Sequence, residues 1–168
     1  MLILLMLLVI AVLVIQGLIG IMYRIIHRTK INNLLERVCT EEDLMYIRFE
    51  DFLSIAAEMF KRKGYKVQLT DKCGEDGNGL VLNDILYAEV WRHGLNRPVE
   101  VETAMKLARC MHTNSIYRGM LITLGYFKQN TKMFCHKNVI ECVDGKQFLA
   151  MCRDVQRRKP ALQSTAQQ

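Results

Sequence analysis

Residues 2–23, LILLMLLVIAVLVIQGLIGIMY, carry no charge and one strongly polar side chain, Gln16. This run constrains the chain more than any other feature. A helix of that length reaches ~30 Å, the thickness of a bilayer's hydrocarbon core. Arg24, His27, Arg28 and Lys30 follow at once, and no basic side chain precedes it. The positive-inside tendency then predicts a single pass through the inner or cell membrane, with the N-terminus outside and the body in the cytoplasm. A cleaved secretory signal is the rival reading. It wants a basic n-region, a shorter apolar core and a small-x-small cleavage site, for which Gln16-Gly17 and Gly20 are weak cues. A buried core helix is the third, but a run apolar on every side has no face to turn to water.

Without residues 1–23 about 140 residues remain, enough for one domain with a proper core. The expected organisation is an anchor over 1–23, a juxtamembrane linker helix over 24–39, a domain over 40–155 and a disordered tail over 156–168. The net charge of +6 suits a partner such as anionic lipid or nucleic acid without selecting either. Cys39, Cys73, Cys110, Cys135, Cys142 and Cys152 form no C-x-x-C pair and no zinc-spaced cluster. In a cytoplasmic body they are expected to be free thiols, several of them serving as small hydrophobes.

The body alternates helical and strand patterns. Phe49, Phe52, Leu53, Ala56 and Phe60 recur at helical spacing, predicting a helix over 49–63 that Gly64 ends. Thr40 followed by acids marks another helix start. Residues 65–70 alternate like a strand, and CGEDGNG at 73–79 is a turn-rich loop. Short strands at 80–82 and 85–93 flank Asn83-Asp84 as a two-residue hairpin turn. Helices follow at 99–112, 128–136 and 146–155, with buried-looking strands at 118–124 and 139–143. That order is an α/β domain with a mixed central sheet.

Four segments carry a resemblance. Phe49-Glu50 opens a helix ending in Lys63-Gly64-Tyr65; Gly74-Glu75-Asp76-Gly77 forms a glycine-acid loop. Arg118-Gly119-Met120-Leu121-Ile122-Thr123 precedes Gly125-Tyr126-Phe127, and Ile140-Glu141-Cys142-Val143-Asp144-Gly145 precedes Phe148-Leu149. In this order and spacing they resemble the Mrr-type restriction endonuclease domain of the PD-(D/E)XK nuclease superfamily, over roughly Thr40 to Cys152. The resemblance implies a restriction-endonuclease-like mixed sheet flanked by helices. It also implies a magnesium-dependent DNA endonuclease in which an Asp and, on the next strand, a Glu or Gln hold the metal, with a Lys two residues beyond the Glu or Gln on the same strand face.

This chain departs from that pattern. Glu89 aligns with the second ligand, but Trp91 stands where the lysine belongs and Leu80 falls on the metal-binding Asp. Asp76 or Asp84 could supply a displaced carboxylate, and Arg92 or Lys106 a displaced cation. Glu50 matches a family glutamate near the metal, or is a solvated capping carboxylate. The resemblance thus implies a remnant or displaced site at Glu50, Asp76 and Glu89, with magnesium on Asp76 and Glu89 if the site is active and no cofactor otherwise. It implies nucleic-acid contacts at Arg92, Lys106, Thr123 and Lys128. No serine or cysteine stands at triad spacing from His93, His112 or His136, and GEDGNG lacks the Gly-Lys-Ser/Thr of a P-loop.

Three functions follow. The first is a membrane-anchored, non-catalytic domain of this fold that binds DNA or a protein partner. The second is a metal-dependent DNA endonuclease with a displaced active site. The third is a structural subunit of a membrane assembly, which fold alone does not distinguish from the others.

Overall fold

The computed structural model describes residues 2–71, 79–91 and 94–157. Asp76, Arg92, most of the glycine-acid loop and the tail from 158 onward lie outside them. The chain begins with one continuous helix, α1 (Leu2–Arg37). The expected anchor and linker are therefore two parts of a single rod. Its apolar side chains from Ile10 to Ile26 are exposed, whereas Ile31, Leu35 and Val38 just beyond are buried in the domain core.

Thr40 starts α2 (Glu41–Tyr46) through a capping box. Its hydroxyl accepts from the Asp43 N–H at 3.2 Å, and the Asp43 carboxylate accepts from the Thr40 and Cys39 N–H groups at 2.8 and 2.9 Å. Helix α3 (Phe49–Arg62) buries Phe52, Ile55, Ala56, Met59 and Phe60 along one stripe. Gly64 then turns the chain with φ +93°, a left-handed conformation that glycine adopts without strain.

Strands β1 (Val67–Thr70), β2 (Gly79–Leu82) and β3 (Leu86–Trp91) form an antiparallel meander. Asn83 and Asp84 both take positive φ, as the hairpin reading requires, but Leu82 pairs with Leu86. Ile85 therefore belongs to a three-residue turn instead of opening the strand. A two-residue strand, β4 (Pro98–Val99), leads into α4 (Val101–Thr113). Then come β5 (Arg118–Thr123), β6 (Tyr126–Phe127), α5 (Gln129–Lys137), β7 (Ile140–Val143) and α6 (Gly145–Arg157).

The main sheet has the order β1-β2-β3-β5-β7, with β3, β5 and β7 parallel. One face buries Leu80, Leu82, Ala88, Val90, Met120 and Ile122 in a core shared with α1, α3 and α6. The other buries Tyr87 and Leu121 against Leu107 and Met111 of α4 and Cys135 of α5. Strands β4 and β6 pair in parallel as a small separate sheet that the sequence patterns had not indicated. Gly125 makes this crossing possible, since a side chain there would run into the Arg97 carbonyl.

Candidate functional site

The sequence LYAEVW of β3 splits by alternation. Ala88 and Val90 enter the core beside α3, while Tyr87, Glu89 and Trp91 turn to the face covered by α4 and α5. Glu89 sits on the middle strand of five and is 3% exposed. Directly across the ladders its neighbours are Gly79 on β2 and Leu121 on β5.

Leu80 is paired with Ala88, so it lies on the opposite face from Glu89, fully buried in the core. The position beside Glu89, where a second carboxylate could share a cation with it, is Gly79. That place is filled by Tyr87. A β-carbon at Gly79 would collide with the Tyr87 hydroxyl and ring. Burial, and then the nearby Glu89 charge, raise the Tyr87 phenol above its ordinary range, so it stays protonated. Trp91 shares the Glu89 face two residues on and pairs with Thr123 of β5. An indole offers no positive charge where the superfamily's lysine would stand.

The other residues singled out by the sequence are dispersed. Glu50 is exposed at the start of α3 and pairs with Arg48 at 3.1 Å, on a helix packed over the opposite sheet face. Asp84 is held at the tip of the hairpin by Lys66 at 2.8 Å. It belongs to the turn before β3, whereas Glu89 is the fourth residue of that strand. Thr123 is fully buried and its hydroxyl accepts the Gly125 N–H at 3.0 Å, which shapes the β5–β6 turn. Lys128 donates to both oxygens of Glu100 at 2.6 and 2.8 Å, and that carboxylate lifts its pKa above the ordinary lysine value. Lys106 is exposed on α4. Asp76 and Arg92 fall outside the described residues.

Magnesium takes six oxygen ligands in near-octahedral geometry. The same-face neighbours of Glu89 on its own and adjoining strands are Gly79, Leu121, Tyr87 and Trp91, so one carboxylate faces one protonated phenol. Among the described residues this donor set does not fit the ion, and no group of three or more His, Cys, Asp or Glu side chains there could hold a metal.

Sequence reasoning missed the polar ties that fasten α1 to the domain. Lys30 donates to Asp51 at 2.7 and 3.0 Å. Arg62 reaches Glu36 at 2.6 Å, Asn32 at 3.0 Å and Glu58 at 3.4 Å. Only the i,i+4 relation of Glu58 and Arg62 was visible in the sequence. Cys110 is disulfide-bonded, against the expectation of free thiols throughout, while Cys39, Cys135, Cys142 and Cys152 are free.

An antiparallel meander continued by two parallel strands, helices on both faces and a buried glutamate on the middle strand define a restriction-endonuclease-like domain. The Mrr catalytic-domain family, described as a restriction endonuclease, matches residues 45–152. That is more than half of the chain, which therefore belongs to this family. Among solved structures the fold is similar to the DNA modification-dependent restriction endonuclease AspBHI, with a TM-score of 0.51 and 13% identity. The match covers 71% of this chain and 37% of that one. No curated protein matches the chain.

Proposed function

We propose that this protein is a membrane-anchored domain of the Mrr restriction endonuclease family that binds DNA without cutting it. The observation that carries the reading is the filled position beside Glu89, where Gly79 and the Tyr87 ring replace a second metal-binding carboxylate and Trp91 replaces the lysine. Hydrolysis of a phosphodiester in this superfamily's manner needs a cation to polarise the phosphate and activate water. Among the described residues Glu89 has no second carboxylate beside it on the sheet to share that role.

Charge distribution supports DNA as the partner. The helices over the Glu89 face expose Lys106, Arg109, Lys132 and Lys137, with Glu102 as their only acidic residue. Exposed Lys and Arg on one face provide the phosphate contacts that dominate nucleic-acid affinity. The anchor reading rests on α1, which is long and apolar enough to cross a membrane. Its apolar surface is exposed, and in water so large a patch would drive association. Tyr23, Arg24, His27 and Arg28, where the apolar run ends, suit a membrane headgroup zone.

The test uses the full chain in detergent micelles. DNA binding is followed by fluorescence anisotropy across a salt series, and plasmid nicking with magnesium or manganese. Binding that weakens steeply with salt, with no nicking, is expected. Metal-dependent nicking lost in Glu89→Gln would overturn the non-cleaving half and establish a displaced active site. Absence of binding at low salt would overturn the DNA half and leave the domain as a structural subunit.

A further inference from the structure

Two cysteines that the fold places together belong to no part of this reading. Cys135 is buried on the inner side of α5. Cys142, in register with Leu121, turns from β7 to the same sheet face and is partly exposed. Both side chains belong to the cluster packed between the sheet and helices α4 and α5, Cys135 within it and Cys142 against its edge. Cys142 also lines a surface cavity of about 350 Å³ bounded by Lys132, His136, Glu141 and Asp144. Cys135 has no such access, so the pair has one sulfur open to solvent and one held behind it.

We propose that Cys142 and Cys135 form a peroxide-reactive dithiol, in which Cys142 is the attacking thiol and Cys135 the resolving one. Reactive cysteines are those with thiolate character and access, especially beside a second thiol that closes a disulfide. Hydrogen bonding from Cys135 and the Lys132 charge lower the Cys142 pKa, outweighing burial and Glu141, which push the other way. The Cys135 thiol is correspondingly raised.

The chemistry balances with a hydroperoxide as oxidant. The Cys142 thiolate attacks one peroxide oxygen and the O–O bond breaks. A sulfenic acid forms, and the departing hydroxide takes up the proton Cys142 had given. The Cys135 sulfur then attacks the Cys142 sulfur. The S–O bond breaks, an S–S bond forms, and water leaves with the Cys135 proton. Both sulfurs are oxidised, both peroxide oxygens are reduced to water, and a thiol reductant resets the pair. The resulting bond would lock α5 onto β7, beneath Lys132 and Lys137.

The full chain in micelles, its Cys110 disulfide left intact and any reductant removed, is treated with hydrogen peroxide, blocked with N-ethylmaleimide and digested with trypsin. Lys132, Lys137 and Lys146 put the two cysteines on separate peptides, MFCHK and NVIECVDGK. The expected product is these peptides joined, lighter than their sum by two hydrogens. With Cys135→Ser, Cys142 should instead retain a dimedone-reactive sulfenic acid. Exposed Cys39 is the internal reference. If Cys142 oxidises no faster than Cys39, or oxidises in the wild-type chain without joining Cys135, the proposal is overturned. The wild-type peptide map decides this even where a variant folds poorly.

Discussion

The Tyr87 ring occupies the space that a side chain at Gly79 would need, diagonally across the β2–β3 ladder and beside Glu89. Restoring a carboxylate at Gly79 is therefore a packing problem before it is a chemical one. Gly79→Asp should destabilise the domain by about 1–3 kcal/mol, the usual cost of overpacking. Tyr87→Ala alone should cost about 3 kcal/mol by leaving a cavity. The double variant should be more stable than the sum of the two, by about 1 kcal/mol of coupling. Thermal unfolding of the four proteins in micelles measures it, and strict additivity would mean the two residues do not compete for space.

If DNA lies over α4 and α5, Lys106→Ala and Lys132→Ala should each lower the slope of log affinity against log salt by about 0.9. Lys61→Ala removes an exposed charge from α3, on the other side of the sheet, and should leave the slope unchanged. Anisotropy titrations at several salt concentrations separate the cases. Equal effects from all three would indicate a diffuse attraction with no preferred face.

Arg62 joins α3 to two residues of α1 and is mostly shielded, with its side chain 15% exposed. Its loss would leave Glu36 and Glu58 without their shared cation. Arg62→Ala should cost about 1–3 kcal/mol, between an exposed pair and a buried one. Amide exchange should accelerate from Lys30 to Val38, where the helix joins the core. Protection there at wild-type level would show that Ile31, Leu35 and Val38 alone hold the junction.

The cap of α2 should give stability a pH dependence. The Cys39 N–H, then the Thr40 N–H and hydroxyl, hold the Asp43 carboxyl below its ordinary value of 3.8. A depressed folded-state pKa means stability that is present above the ordinary value and lost as pH falls through the depressed one. Asp43→Asn should lower Tm at neutral pH, and the gap to wild type should close in acid. A gap constant down to pH ~2 would contradict the linkage. Thr40→Ala should cost about 1 kcal/mol at neutral pH.

Much of the fold was legible because its signals are local. The apolar stripe of α3, the stop at Gly64, the Thr40 cap and the positive-φ pair Asn83-Asp84 each act within a turn or two of chain. They appear in the structure where the sequence places them. The hairpin was one residue longer than read because Leu82 pairs with Leu86, a choice made between strands and not within the turn. The β4–β6 pairing was invisible for the same reason. Two-residue strands carry no periodicity, and their partner lies almost thirty residues away.

The site divides along that line. The sequence by itself determined that Glu89 shares a strand face with Trp91, because alternation is a property of one strand. It also determined the apolar length of α1, which needs no partner to be counted. Only the tertiary structure decided that Glu89 faces Gly79 and not Leu80, since a one-residue slip between strands exchanges the faces of every side chain. It alone placed Tyr87 over Gly79, brought Cys135 to Cys142 and bound the end of α1 through Lys30 and Arg62. Those contacts join segments whose separation along the chain gives no periodic trace. Their choice rests on how buried volume is filled between elements, and that is settled only when the sheet and its helices close on one another.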